Sequence, residues 1–324
     1  MLDSVISRLS SSSRMVYVYG DLIVDRYFYG EVLRISPEAP VPVFSVISSK
    51  LSLGGAGLVA HNLRALGRKT FLISIEGSKH SPVDADLISL PSLLLSSDIP
   101  NCLVQDPARL LTIKTRLIDA RSSYQLIRFD SEDTFQITPH IEDEVLRILS
   151  SMDLSYSVFV ISDYCKGSVT ERIAQYIINA CAHTIIDFKF NPSTDNLRYY
   201  TNAWLITPSH RDLPVGPSIE EELRKISADY NIKNILLTMG RKGMLLLSGT
   251  KVVHLPPHNR SQIVDVTGAG DIVASTVAAC VASDIDLENA VRISSVAAGI
   301  SISKPGTSPV YLNDLVQELQ SNAA

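Results

Sequence analysis

The amino-acid sequence predicts a three-layer α/β/α sandwich with a mostly parallel central sheet and a small β lid, on three observations. Apolar runs of strand length alternate with stretches of helical period, two β-rich segments interrupt that alternation, and no linker, repeat or charge block divides the 324 residues. The alternation begins with a strand at 15–19, a helix at 56–66 and a strand at 70–74. It continues with a strand at 157–162, a helix at 169–182, and strands at 183–187, 203–206 and 234–238. These runs are nearly continuous in aliphatic residues, as strands covered on both faces by βαβ crossover helices must be. Residues 243–247 and 251–255 flank Ser248-Gly249-Thr250 in a hairpin pattern, and the chain beyond them is mostly helical. Segments 25–46 and 110–130 are rich in β-branched and aromatic residues, alternate in polarity and lack an intervening helix. They are predicted as antiparallel strands outside the main sheet, forming the lid of a single domain, 1–324.

Composition narrows the function. Hydrophobic residues make up 45% of the chain and charged ones 19%, as in a globular protein with a filled interior. A formal charge of -5 argues against a nucleic-acid partner, since affinity for a phosphate backbone is built from clustered Lys and Arg. Small-molecule partners are expected. The longest apolar stretches, such as 272–282, fall short of the roughly 18 residues of a membrane span, so no membrane segment is expected. Residues 1–15 carry Asp3 and several serines where a secretory signal needs a basic end and an apolar run, so the expected location is cytoplasmic. Cys102, Cys165, Cys181 and Cys280 form no CxxC pair and read as reduced thiols, without a zinc or disulfide framework.

The chemistry is carried by Asp265-Val266-Thr267-Gly268-Ala269-Gly270-Asp271, followed directly by apolar helix formers. A helix start presents unpaired N–H groups and a partial positive charge, and glycine lets a phosphate approach the backbone. The amides of Gly268, Ala269 and Gly270 can therefore stabilise a moving phosphoryl group, while Asp271 in the first turn accepts the proton of the attacking hydroxyl. A short Gly-rich turn before a helix is, alone, as often an ordinary turn; the seven-residue string is more specific. A Walker A loop occurs nowhere, which disfavours a P-loop NTPase. The string closely resembles the DTxGAGD signature of the PfkB, or ribokinase-like, carbohydrate kinases. That resemblance implies a ribokinase-like fold, ATP as donor, Mg²⁺ as metal and Asp271 as catalytic base.

Toward the N-terminus, Gly20-Asp21 closes the first strand and Asp25 follows, where open α/β sheets bind ligands. The strings Gly20-Asp21-Leu22-Ile23-Val24-Asp25-Arg26-Tyr27, Arg34-Ile35-Ser36-Pro37-Glu38-Ala39-Pro40-Val41-Pro42-Val43, Leu53-Gly54-Gly55-Ala56, Thr112-Ile113-Lys114-Thr115-Arg116 and Gln125-Leu126-Ile127-Arg128-Phe129-Asp130 look like those of the family's D-glycero-β-D-manno-heptose 7-phosphate kinases. Ser162-Asp163-Tyr164, Lys166-Gly167, Asp187, Lys189 and Lys304-Pro305-Gly306-Thr307 extend the likeness over nearly the whole chain. By that resemblance Asp25, Gly54 and Gly55 contact the sugar. A phosphate on its far end needs cations, for which Arg116, Arg128, Lys166 and Lys189 are candidates. Thr238, Gly240, Gly243, Thr267 and Ser294 are the candidate ATP contacts. The resemblance also implies a homodimer through the lid, whose strand edges need partners. No HxGH motif of the nucleotidyltransferase found in bifunctional heptose enzymes is present, so adenylylation is expected from another chain.

Four features depart from the family pattern. Leu58 stands where a sugar-contacting Asn is usual, and leaving a polar group unpaired costs about 1–3 kcal/mol. The Asn-x-x-Glu motif that orders the metal's water is replaced by Ser209-His210-Arg211-Asp212, with the shorter Asp212 still able to act through water. Arg241 replaces an acidic residue, and 76–100 lacks a GxDxxG-like stretch. An active heptose kinase, a PfkB kinase of another sugar, and a binding protein without turnover are the readings compatible with these departures, in that order.

Overall fold

A computed structural model describes residues 7–9, 13–79, 89–213, 218–258 and 263–321. β1 (Val16–Gly20) runs parallel to β4 (Thr70–Lys79) on one side and to β8 (Val158–Asp163) on the other. Past β4 lies β5 (Asn101–Leu110) at the sheet edge; past β8 come β9 (His183–Phe188), β10 (Leu205–Ile206) and β11 (Asn234–Thr238), all parallel. The hairpin of β12 (Met244–Ser248) and β13 (Lys251–Leu255) adds two strands antiparallel to their neighbours and completes a nine-stranded sheet. The chain thus crosses the sheet in opposite directions from β1, and the reversal falls between β1 and β8. Open α/β sheets bind ligands outside the carboxyl ends of strands at such a switch point.

Alternation along each strand sends side chains to two separate cores. Val16, Val18, Val158, Val160 and Ile185 pack with α1 (Ala56–Ala65), α2 (Leu90–Ser96), α6 (Ala269–Ala282), α7 (Leu287–Ile302) and α8 (Leu312–Ser321). Tyr19, Phe159, Ile161 and Ile186 pack with α3 (Pro139–Ser150), α4 (Glu171–Ala180) and α5 (Ile219–Asp229). This is the three-layer sandwich predicted above. Helix starts are mostly closed by side chains: Thr138 accepts from the Ile141 amide, Thr170 from Ile173, and Asp286 from Asn289. α6 begins at Gly268 in the left-handed region (φ 78°) with no side-chain cap, which leaves its first turn to other acceptors.

The lid is a separate four-stranded sheet, ordered β3-β2-β6-β7. β2 (Leu22–Ile35) pairs antiparallel with β3 (Pro42–Gly55), and β6 (Thr112–Asp119) antiparallel with β7 (Gln125–Ser131), but β2 and β6 run parallel. The antiparallel strands expected of the two segments are present as the two hairpins; between the segments the pairing is parallel, because both hairpins leave the main sheet at the same end, β2 after β1 and β6 after β5, so their first strands point the same way. β3 also extends to Gly55, beyond the predicted boundary at 46, and Leu110 closes β5 instead of opening the lid. β10 is shorter than 203–206, because the Ala203 amide turns back to the Tyr200 carbonyl (3.0 Å) and the Trp204 amide to the Thr184 hydroxyl (3.2 Å).

Candidate active site

The switch point is built from acidic strand ends. Asp21, directly after β1 and buried, accepts the amides of Tyr164 (2.8 Å), Lys166 (3.0 Å) and Ser168 (3.2 Å), fixing the loop that follows β8. Asp163, also buried, accepts the Cys165 amide (2.8 Å), the Asn196 side-chain amide (3.0 Å) and the Tyr200 hydroxyl. Burial and the nearby Asp21 carboxylate push Asp163 up to about 6. Two carboxylates thus shape one loop, and that loop carries Tyr164 into the site.

Asp271 stands in the first turn of α6 and is only 1% exposed. Its Oδ2 accepts the Tyr164 hydroxyl at 2.8 Å; its Oδ1 is buried and has no hydrogen-bond partner among the described residues. Burial first, then the Asp187 carboxylate, raise the Asp271 pKa well above the usual carboxylate range, against the Tyr164 hydrogen bond and the Lys189 ammonium. Asp187, at the end of β9, lies within van der Waals reach of a side chain built at Gly270, and burial pushes it up to about 6 despite the opposing Lys189 charge. The loop before α6 is held by Asp265, whose Oδ1 accepts the Thr267 amide (2.9 Å) and whose Oδ2 accepts the Gly306 amide (3.0 Å). The Ala269 amide bonds back to the Val266 carbonyl at 3.3 Å. Gly268 is required here twice over: its φ is positive, and a Cβ would meet Leu58 Cδ2 at 2.5 Å.

Over this floor lies the lid. Asp25 and Lys114 are register partners across β2 and β6, as are Tyr27 and Arg116. Arg116, buried, gives its Nη1 to Asp25 Oδ1 at 2.5 Å and lies over the Tyr27 ring, 5.2 Å from its centroid. Asp25 Oδ2 also accepts the Thr307 hydroxyl (3.3 Å), and a Cβ at Gly54 would meet that same oxygen at 2.6 Å. Lys114 and Lys189 lie over the Tyr164 ring, 5.1 and 5.7 Å from its centroid. Burial, then the charges of Lys166 and Arg128, lower the Lys114 pKa, against the Asp25 and Glu132 carboxylates.

A model described as pfkB family carbohydrate kinase matches residues 13–313. The chain belongs to the PfkB family of carbohydrate kinases. As such it is a phosphotransferase that acts on a sugar hydroxyl. The protein named Bifunctional protein HldE of Nitrobacter winogradskyi is 31% identical over 94% of this chain and 63% of its own length; that of Acidiphilium cryptum is 34% identical over 94% and 63%. The chain therefore spans somewhat under two thirds of these curated relatives. Among solved structures, Escherichia coli phosphofructokinase-2 in complex with substrates and products superposes with a TM-score of 0.76 at 18% identity, over 96% of this chain and all of that one. Ribokinase from Thermotoga maritima superposes at 0.71 and 18%, over 95% and 99%. At such identities these two show the ribokinase-like fold.

The structure distributes the sequence-nominated residues of this kinase unevenly. Asp271, Gly268, Ala269 and Gly270 form one turn, with Thr267 just before it. Asp25, Gly54, Gly55 and Arg116 form a second group, in which Arg116 is committed to Asp25. Lys166 Nζ pairs with Glu132 Oε1 at 2.7 Å, and Arg128, half exposed, with Asp130 Oδ2 at 3.0 Å. Lys189 lies with Asp212 (Nζ to Oδ2, 3.2 Å), where the charges of Asp187 and Asp271 also act on it. Asp212 Oδ2 is further engaged by the Ser209 amide (3.2 Å) and hydroxyl. Thr238 closes β11 with its amide on the Pro208 carbonyl (2.9 Å), and Gly240 and Gly243 bound the short turn after it. Ser294 is fully buried, with its hydroxyl on the Val291 carbonyl of its own helix (2.8 Å). Leu58 is buried beneath Gly268 and belongs to the core. Lys114, Tyr164, Asp187 and Thr307 were not nominated as site residues. For Lys114 a signal existed: it alternates with Arg116 along β6, and residues two apart on a strand share a face.

Proposed function

We propose that the chain transfers the γ-phosphoryl group of ATP to the anomeric hydroxyl of D-glycero-β-D-manno-heptose 7-phosphate. The observation that carries the phosphoryl-transfer reading is Asp271: a buried carboxylate with an uncommitted oxygen, set in an uncapped helix start. The acceptor hydroxyl gives its proton to Asp271 as its oxygen bonds to the γ-phosphorus, and the bond to the β,γ-bridging oxygen breaks to release ADP. The raised pKa suits this role, because a stronger base takes the proton more readily once ionised. Amides in the first turn of α6 stabilise the charge on the transferring group. Since Oδ1 is shielded from solvent, an acceptor reaches it only as neighbouring side chains yield.

The heptose assignment is supported by the lid strings and by Lys114, a cation on β6 whose charge is felt by Lys166 and Arg128, themselves paired with Glu132 and Asp130. Among the described residues no group of three acidic, His or Cys side chains gathers to hold a metal directly. That fits Mg²⁺, which keeps several waters and binds through substrate phosphates, with Asp187 and Asp212 as carboxylates able to accept from its water shell. When bound, the ion would supply positive charge to the phosphates. No helix among the described residues is long and apolar enough to cross a membrane, which agrees with the cytoplasmic location proposed for a kinase of small metabolites.

Phosphorus NMR of the chain with ATP, Mg²⁺ and a panel of heptose 7-phosphate, fructose 6-phosphate, fructose 1-phosphate and ribose tests the reading. A new anomeric phosphate signal with heptose 7-phosphate is the expected result, and Asp271→Asn should lower kcat about 10²- to 10⁴-fold. Transfer to another sugar alone would keep the kinase and replace the substrate. The engagement of Asp212 by Lys189 and the leucine at position 58 support a second reading, a nucleotide- or sugar-phosphate-binding protein. Tight ATP binding by calorimetry with no transfer across the panel would select it.

A further inference from the structure

We infer that Tyr164 is a positioning residue for the base: its hydroxyl holds Asp271 Oδ2 and leaves the lone pairs of Oδ1 uncommitted for the acceptor's proton. The inference rests on the reading of Asp271 as base and goes beyond it. Two independent contacts carry it. The hydroxyl-to-carboxylate bond is 2.8 Å and joins residues 107 apart in sequence, so it exists only because the β8 loop and α6 meet. That loop is fixed from below by three amide bonds to Asp21, which makes the position of Tyr164 a property of the switch point and not of a free surface side chain.

The ring adds a second role. Lys114 reaches it from the lid and Lys189 from the loop after β9. Two ammonium groups near a phenol ring draw on its electron density, which makes its hydroxyl a stronger donor to a carboxylate. The charged and titratable groups facing Asp271 are Asp187 at the end of β9, Lys189 after it, Asp25 on β2 and Tyr164 itself, with Asp212 acting on Asp187. Asp187 and Asp25 disfavour the Asp271 carboxylate; Lys189 and the Tyr164 hydrogen bond favour it. Among the described residues Tyr164 is thus the neutral group that hydrogen-bonds the Asp271 carboxyl and favours its ionised form. An alternative role, as mere packing beneath the lid, would keep the ring and have no use for the hydroxyl.

The test uses the full chain with ¹³C-labelled aspartate carboxyls, the Asp271 resonance being assigned by its loss in Asp271→Asn. In Tyr164→Phe, which keeps the ring, that resonance should titrate about one pH unit higher than in the parent. With the acceptor sugar found in the panel above, the acid limb of kcat/KM should move upward by the same amount, with kcat falling at low pH and recovering as pH rises. Site-specific 3-fluorotyrosine at 164, a stronger donor of nearly the same shape, should move both readouts the opposite way. If neither substitution displaces the Asp271 titration, the inference is overturned whether or not the chain proves to be a kinase. If the titration moves but Asp271→Asn keeps full turnover, it is the reading of the base that fails.

Discussion

Asp187 sets the electrostatic problem at the residue scale. It and Asp271 are both buried near Gly270, and the charge of Lys189 stabilises each of them. A folded-state value of about 6, against 3.8 in an unfolded chain, means the folded protein binds a proton there more readily. The stability so contributed is fully present below about pH 3.8 and is lost as pH rises through about 6. Asp187→Asn, which cannot titrate, should therefore close the gap: parent stability measured by denaturant unfolding is expected to decline relative to the variant between pH 4 and 7. A difference that is flat with pH would show Asp187 to be ionised throughout. Of these residues, Asp271 was legible because its whole chemistry, a carboxylate beside helix-start amides, is local in sequence. Tyr164 was not, since its meaning lies in a partner that no periodicity connects to it. Lys189, a sugar-phosphate cation by the sequence resemblance, lies beside Asp212 and Asp187; a side chain's charge is written in the sequence, its direction is not.

At the scale of elements, the ion pair of Asp25 and Arg116 bonds β2 to β6 where the two hairpins run parallel. Both side chains are nearly solvent-free, so removal of one partner strands a buried charge. Arg116→Ala is expected to destabilise the chain by about 3–5 kcal/mol in denaturant unfolding. Replacing both residues by apolar ones of similar size should cost much less, because no charge is left behind. Equal losses in the single and double variants would show that packing against Tyr27, and not charge, holds the strands. The main-sheet strands were readable because burial on both faces writes them as apolar runs. Helices 139–150 and 219–229 lie outside the predicted elements, although Thr138-Pro139 is a recognisable start; α5 has only Leu223 and Ile226 as buried residues, which leaves its helical period faint. β5 escaped notice because Asp106, Pro107 and Arg109 break its apolar pattern, and two of these are buried polar groups that bond to one another at 3.4 Å.

At the scale of the whole molecule, the lid is the part whose surface is least complete. Among the described residues its sheet ends in two unpaired edges, β3 and β7, and it exposes Leu33 (68%), Ile35 (61%) and Ile47 (65%), together with Val46, Leu126, Ile127 and Phe129. Strand edges and clustered exposed aliphatic side chains on one small sheet are what association covers. The homodimer expected through the lid would cover them, lid against lid. Sedimentation of the parent at micromolar concentration should then give a dimer, and the double variant Leu33→Asp with Ile47→Lys a monomer. Because Asp25, Lys114 and Arg116 are carried on the same strands, the monomeric variant should show a raised KM for the acceptor sugar with a smaller change in nucleotide affinity. A monomeric parent would mean that these aliphatic groups serve a purpose other than pairing. A monomeric variant with unchanged KM would mean that the lid holds Asp25, Lys114 and Arg116 in place without the partner, through the Asp25–Arg116 pair and the Thr307 contact.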